Sequence, residues 1–150
     1  MNVRRGTYVL ALTFCSPADA EAGALGPVHL EPGTYCYVGS AMGGLDQRLS
    51  RHLSRTKTLR WHIDHLTVIC DRAEAWESYP RFLPECELAR LAEECGMAPA
   101  AEGFGCSDCR CRTHLFRAGE DSVQSLVSRA GLSPYPGRQL LFNKRGYPRA

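Results

Sequence analysis

A basic stretch is the first part of the sequence whose residue types could do chemistry. Its first four members have the spacing of one helix face, and the other three follow them in the chain. The stretch consists of Arg48, Arg51, His52, Arg55, Lys57, Arg60 and His62. No acidic residue interrupts it between Arg48 and Arg60. Such a patch can dock a phosphate backbone, although the same charges are also typical of a solvated helix face.

Two tyrosines are expected to lie near one arginine of this stretch. Tyr8 opens a strand-like segment, and Tyr37 ends another, just before Gly39. Arg48 follows 11 residues after Tyr37, on a helix that begins behind the turn signal Gly43-Gly44. Each residue alone is usually structural, because strand tyrosines pack in cores and helix-edge arginines are solvated. Their combination marks a candidate site.

A second cluster lies in the glycine-framed loop 103–114, in the pattern Cys106-x2-Cys109-x-Cys111-x2-His114. Three thiolates and one imidazole make a tetrahedral set for a structural Zn²⁺. The spacing of Cys109 and Cys111 is tight for two ligands of one ion. The alternative is a reduced loop in which Asp108 and His114 face the active cleft.

Hydrophobic patterning predicts the elements that must position these residues. Strands are expected at 8–14, 34–38 and 61–70, with shorter ones at 28–30 and 115–116. Helices are expected at 45–55, 84–95 and 123–129. The first two strands are expected to pair antiparallel. We assign residues 1–118 to one domain and 119–150 to a partly loose C-terminal extension.

Composition narrows the class of protein. The chain has 150 residues, 44% of them hydrophobic, and a formal net charge of +2, which fits one ordinary domain and names no partner. Its 8 cysteines would suit a secreted disulfide scaffold, but Cys36 and Cys70 lie in apolar segments, which favours a reducing, cytoplasmic compartment. The apolar run behind Arg4 and Arg5 mimics a signal peptide and also fits a first core strand. No run of about 18 apolar residues exists, so no membrane span is expected.

The order of these motifs resembles the GIY-YIG nuclease superfamily, and more closely its branch often called the Uri family. The resemblance covers about residues 5–117 and depends on five segments: 35–45, Arg48, Arg51-His52, 61–64 and 103–109. It implies an α/β (α+β) fold with a small central three-stranded antiparallel sheet flanked by helices. It also implies an endonuclease that hydrolyses DNA phosphodiester bonds with one Mg²⁺ or Mn²⁺ ion.

The resemblance also implies roles for individual residues. Tyr8 would accept a proton, with a pKa lowered by nearby cations, and Tyr37 would orient the water or the phosphate. Arg48 would hold the phosphate through its planar fork. His52 would bind phosphate or shuttle a proton, and Glu85 would hold the metal. The other basic residues would contact the nucleic acid: Arg51, Arg55, Lys57, Arg60 and His62.

Three points stay open at this stage. Glu85 and Glu87 both lie near the helix start, and we favour Glu85 because it opens the helix as the family glutamate does. Tyr8 and Tyr37 are 29 residues apart, which predicts an insertion between the first two strands. Many relatives place an asparagine after the glutamate. The only asparagines here are Asn2 and Asn143, so Ser107 or Asp108 is left as a substitute.

The sequence therefore predicts a DNA endonuclease that is structure-selective or low in sequence specificity, with a place in DNA repair. No segment reads as a separate DNA-targeting domain. Two alternatives remain: a nucleic-acid-binding module without catalysis, and a zinc-stabilised interaction domain.

Overall fold

The computed structural model describes residues 3–106, 111–119, 121–137 and 139. The strands are β1 (Gly6–Phe14), β2 (Ala18–Glu21), β3 (Pro27–Leu30), β4 (Gly33–Ala41), β5 (Arg72–Ser78), β6 (Ala98–Pro99), β7 (Leu115–Ala118) and β8 (Ser133–Pro134). The helices are α1 (Leu45–His52), α2 (Asp64–Thr67), α3 (Glu85–Glu94) and α4 (Ser122–Ala130). The mixed α/β class predicted from the sequence is confirmed.

The central strand β1 is buried on both faces of the sheet. On one face Leu10 packs with residues of α1 and α2, and on the other Val9 packs with residues of α3 and α4. A strand covered on both faces reads as a continuous apolar run, which is how residues 8–14 appear in the sequence. The antiparallel pairing of β1 with β4 matches the sequence prediction.

The sheet is larger than predicted. Within the described residues it has six strands in the order β6-β7-β4-β1-β5-β8, so the expectation of a small three-stranded sheet is wrong. The added strands β6 and β8 have 2 residues each and lie at the two edges. Each contains a proline, which an edge strand tolerates because it need not donate every backbone hydrogen bond.

The predicted third strand at 61–70 is also wrong. This segment forms turns and the short helix α2, and β5 follows it in the chain. The buried apolar residues are Ile63, Leu66 and Cys70, at intervals of three and four, which is helical and not alternating spacing. Strand β5 was not predicted because its core face carries the small residues Ala73 and Ala75, which give a weak strand pattern in the sequence.

The predicted insertion between the first two strands is a hairpin of β2 and β3. Val28 and Leu30 of this hairpin are buried against the core face that also contains Tyr8. After residue 118, α4 packs on α3 through the buried Leu126, and Tyr135 enters the other core. No helix in the described parts of the chain is long and apolar enough to cross a bilayer.

Candidate active site

The register of β1 and β4 brings the two predicted tyrosines together. Tyr8 lies opposite Gly39, and Leu10 lies opposite Tyr37, so the tyrosines are diagonal neighbours on one face. Their ring centroids are 6.3 Å apart. A Cβ atom on Gly39 would lie 2.4 Å from the Tyr8 hydroxyl oxygen. Glycine therefore follows the Tyr37-Val38 pair because the Tyr8 hydroxyl occupies the space of a side chain.

Tyr8 and His52 form a buried pair. The Tyr8 hydroxyl oxygen is 2.7 Å from His52 Nε2, and each residue is 1% exposed. Burial, followed by the positive charge of Lys57, lowers the pKa of His52 to about 3, so its imidazole is neutral at pH 7 and can accept the tyrosine proton.

The expected lowering of the Tyr8 pKa is wrong. Burial raises this pKa well above its ordinary value, and the nearby charge of Arg48 offsets only part of that effect. Burial also raises the pKa of Tyr37. Both phenols are therefore neutral at pH 7, and the Tyr8 hydroxyl is within hydrogen-bond distance of the neutral His52 imidazole.

Arg48 reaches the same region from α1. One guanidinium nitrogen donates to the Ser40 carbonyl oxygen at 2.9 Å, and the guanidinium carbon lies 4.4 Å from the centroid of a Trp61 ring. These contacts hold the half-buried side chain at the end of β4. The remaining donors of the fork give Arg48 the geometry to bind a phosphate oxygen.

Glu85 is the first residue of α3, so a third element, besides the sheet and α1, contributes to the same region. The Ser40 hydroxyl donates to Glu85 Oε1 at 2.7 Å, and Oε2 lies 3.0 Å from His114 Nδ1. The His114 imidazole lowers the pKa of Glu85 below its ordinary value, assisted by Ser40 and opposed by partial burial. In contrast, Glu87 is paired with Arg90 on the surface of the helix.

These groups surround one cleft with a volume of about 630 Å³. Its lining includes Tyr37, Ser40, Arg48, Arg60, Trp61, His62, Glu85, Cys86, Gly105 and His114. Tyr8 and His52 lie behind this lining. Gly105 closes the wall between Tyr37 and His114, because its Cβ would lie 3.1 Å from the Tyr37 ring and 3.3 Å from the His114 Cβ. Its φ of +74° favours glycine as well.

The structure divides the predicted phosphate-binding residues. Arg60 and His62 line the cleft, and His62 Nδ1 accepts a hydrogen bond from the Gly105 amide at 3.2 Å. Three others make hydrogen bonds within the protein, and their predicted contact with nucleic acid stays a prediction: Arg51, Arg55 and Lys57. They connect the end of α1 to α2 and the segment that follows it.

Arg51 forms a two-pronged pair with the fully buried Asp64, at 2.9 and 3.0 Å. Arg55 donates to the Cys70 carbonyl at 2.7 Å. The Lys57 ammonium donates to the carbonyls of Arg51 and His52, each at 3.0 Å. These contacts pair backbone carbonyls and a buried carboxylate with cations, which stabilises this part of the fold.

The predicted cysteine cluster is also rearranged. Cys111 and His114 lie with Cys86 of α3, and one ligand atom from each is within 4.8 Å of the others. Cys106 does not join this group within the described residues. Ser107, Asp108 and Cys109 lie outside the described residues, so their predicted roles are neither supported nor corrected.

Sequence reasoning missed Ser40, Trp61 and Cys86 as members of the site. Ser40 and Cys86 directly follow a singled-out residue, Gly39 and Glu85 respectively, which is the signal that could have found them. Trp61 precedes the candidate His62, and its aromatic face suits the two arginines stacked on it.

One family model matches the chain, over residues 7–132, and it is described as a domain of unknown function, DUF123. No curated protein is significantly similar to the chain. No solved structure is significantly similar to it either.

Proposed function

The chain belongs to the DUF123 family, a domain of unknown function, and we propose that it is a metal-dependent endonuclease that hydrolyses DNA phosphodiester bonds. One observation carries the proposal. The phenol of Tyr37, the guanidinium of Arg48 and the carboxylate of Glu85 come from β4, α1 and α3 and line the same cleft. A phenol, a phosphate-binding fork and a hard anionic ligand are three of the groups that phosphodiester hydrolysis requires.

Glu85 is the residue that would hold the metal ion. Its carboxylate is partly exposed to the cleft, and its lowered pKa keeps it ionised at pH 7. Oxygen ligands of this kind suit Mg²⁺ or Mn²⁺. When bound, such an ion supplies Lewis-acid stabilisation of the phosphate and lowers the pKa of a coordinated water.

Arg48 would position the phosphate. Its side chain is already fixed by Ser40 and Trp61, so little conformational freedom is lost when the guanidinium binds an oxyanion. Arg60 lies farther out on the exposed part of the same lining and would contact a flanking phosphate. Charge at this position favours binding without sequence preference.

The two tyrosines have different positions and would have different roles. Tyr37 lines the cleft and would orient the attacking water or a phosphate oxygen. Tyr8 lies behind it and is hydrogen-bonded to the neutral His52. Tyr8 would accept a proton as its own proton passes to His52, because the negative charge that develops on the phenol oxygen raises the proton affinity of the imidazole.

The substrate would be DNA of particular shape rather than sequence, as in repair. The lining offers cations, an exposed Trp61 and an exposed Met42, which contact backbone and bases without reading base edges. A non-catalytic nucleic-acid-binding module would share these surfaces but would not require Glu85.

The test is cleavage of end-labelled single-stranded, duplex and branched DNA by the full chain with Mg²⁺ or Mn²⁺. We expect internal cuts that depend on the metal and stop when EDTA is added. Binding to DNA without cleavage under any of these conditions would favour the non-catalytic module. The absence of both DNA binding and DNA cleavage would overturn the nucleic-acid assignment.

A further inference from the structure

A second cluster of ligand atoms lies beside the proposed Mg²⁺ site, and its chemistry is different. It consists of the thiols of Cys86 and Cys111 and the imidazole of His114. Cys86 is in the first turn of α3, whereas Cys111 and His114 belong to the segment that leads into β7. The cluster therefore joins two parts of the chain that are 25 residues apart in sequence.

We propose that Cys86, Cys111 and His114 bind a Zn²⁺ ion that fastens the start of α3 to the segment before β7. Thiolates and an imidazole are the ligands that zinc prefers, and they are poor ligands for Mg²⁺. This assignment differs from the set predicted within the loop, because Cys86 comes from outside that loop. It is independent of the proposed nuclease activity.

The distances suit a tetrahedral site after a small adjustment. Bonds of about 2.3 Å from zinc to each sulfur place two thiolates about 3.8 Å apart in a tetrahedral ion. The three ligand atoms here are within 4.8 Å of one another. Cys86 is exposed, so its side chain has room to move closer to the other two.

The backbone that carries His114 is held in place before any ion binds. The His114 amide donates to the Phe104 carbonyl at 2.8 Å, and its own carbonyl accepts from the Val38 amide of β4 at 3.0 Å. The Gly103 amide donates to the Arg112 carbonyl at 2.8 Å. A segment fixed in this way loses little entropy when its side chains coordinate a metal.

Glu85 gives the imidazole the orientation of a metal ligand. Its Oε2 lies 3.0 Å from His114 Nδ1, so Nε2 would be the coordinating nitrogen. A carboxylate on the far nitrogen of a metal-bound histidine fixes the ring and its tautomer.

This position gives the zinc a consequence for the cleft. Cys86 and His114 line it together with Glu85, so the ion would lie in the cleft wall, next to the residue proposed to hold Mg²⁺. A zinc ion held here by these three ligands would keep the Glu85 carboxylate and the His114 ring in fixed positions. Loss of the ion would loosen both.

The first test is the metal content of the full chain, purified under reducing conditions without added metal. We expect about one zinc per chain, a value near zero for Cys86→Ser and Cys111→Ser, and the wild-type value for Cys106→Ser. Cys106 is a matched control because it lies in the same loop and outside the cluster. Removal of zinc with a strong chelator should lower the melting temperature of the wild type and leave that of Cys86→Ser unchanged.

A second measurement keeps the test informative if a variant fails to fold. Titration of the chelator-treated, reduced wild-type protein with Co²⁺ should give thiolate-to-cobalt charge-transfer absorption, which added Zn²⁺ removes. Two results would overturn the proposal. One is a wild-type protein with no zinc and no such absorption; the other is a Cys106→Ser variant that loses the zinc while Cys86→Ser retains it.

Discussion

The hydroxyl oxygen of Tyr8 lies 2.7 Å from Nε2 of His52, and neither side chain reaches the surface. Because the imidazole is neutral and the phenol is protonated, Tyr8 can donate this hydrogen bond to the tautomer of His52 whose Nε2 carries no proton. In the proposed mechanism, this pair moves a proton inward, away from the cleft, when charge develops on the phenol.

Tyr8→Phe should therefore slow cleavage with little effect on DNA binding. The substitution removes the hydroxyl and keeps the buried ring, and loss of a proton acceptor lowers the rate by about 10²-fold or more. Single-turnover cleavage and a DNA-binding titration measure the two quantities. A Tyr8→Phe variant with wild-type turnover would remove Tyr8 from the mechanism.

His52 should make the fold sensitive to acid. Its pKa is about 3 in the folded protein and near 6.5 in the unfolded chain, so between these values the unfolded chain binds an additional proton. The free energy of unfolding then falls as the pH falls from 6.5 toward 3, by roughly 3 kcal/mol at pH 4.5. The contribution disappears above pH 6.5, where both states are neutral.

Urea unfolding at pH 7 and pH 4.5 measures this loss, with His52→Gln as the control. Glutamine can accept the Tyr8 hydrogen bond but cannot titrate. The carboxylates titrate in both proteins, whereas His52 titrates only in the wild type. The wild type should therefore lose more stability than the variant between the two pH values. Equal losses would show that His52 is already able to take a proton in the folded state.

Arg48→Ala should lower the cleavage rate by at least about 10²-fold, because a contact to the transition-state charge is lost. Arg48→Lys should restore little, since an ammonium lacks the planar fork. Arg90→Ala is a suitable control, because Arg90 is an exposed arginine paired with Glu87 on α3. Wild-type turnover by Arg48→Ala would refute the assignment of the phosphate site.

Gly39→Ala should destabilise the protein by about 1–3 kcal/mol, the usual cost of overpacking. The added Cβ would lie 2.4 Å from the Tyr8 hydroxyl oxygen and 2.6 Å from the ring carbon that bears it. The cost should be smaller in a Tyr8→Leu background, where that contact is absent. Denaturant unfolding of the four proteins gives the coupling, and strictly additive effects would argue against this contact.

The sequence predicted the parts of the fold that are specified locally. The apolar run of β1 and the glycine after Tyr37 placed the two tyrosines on paired strands, and the amphipathic pattern located α1 and α3. The prediction of a strand at 61–70 was wrong because, over so short a length, its apolar residues fit both the alternating spacing of a strand and the spacing of a helix. Only the tertiary burial of Ile63, Leu66 and Cys70 decides between these.

The candidate site shows the same limit. Arg48 and Arg51 look alike in the sequence, and they differ because Asp64 lies against Arg51 and not against Arg48. That partner is 13 residues away, beyond any helical spacing. Likewise, Cys86 could not be assigned to the cluster with Cys111, because only the fold brings α3 next to the segment before β7.

The central claim is that Glu85, in the cleft with Arg48, supports metal-dependent hydrolysis of DNA. The most direct measurement compares the Mg²⁺- and Mn²⁺-dependent cleavage rates of Glu85→Gln and Glu87→Gln, with melting curves to verify folding. Both glutamates open the same helix, but only Glu85 lines the cleft. We predict that Glu85→Gln is folded and inactive while Glu87→Gln cleaves like the wild type. An active Glu85→Gln protein, or inactivation by Glu87→Gln alone, would contradict the account.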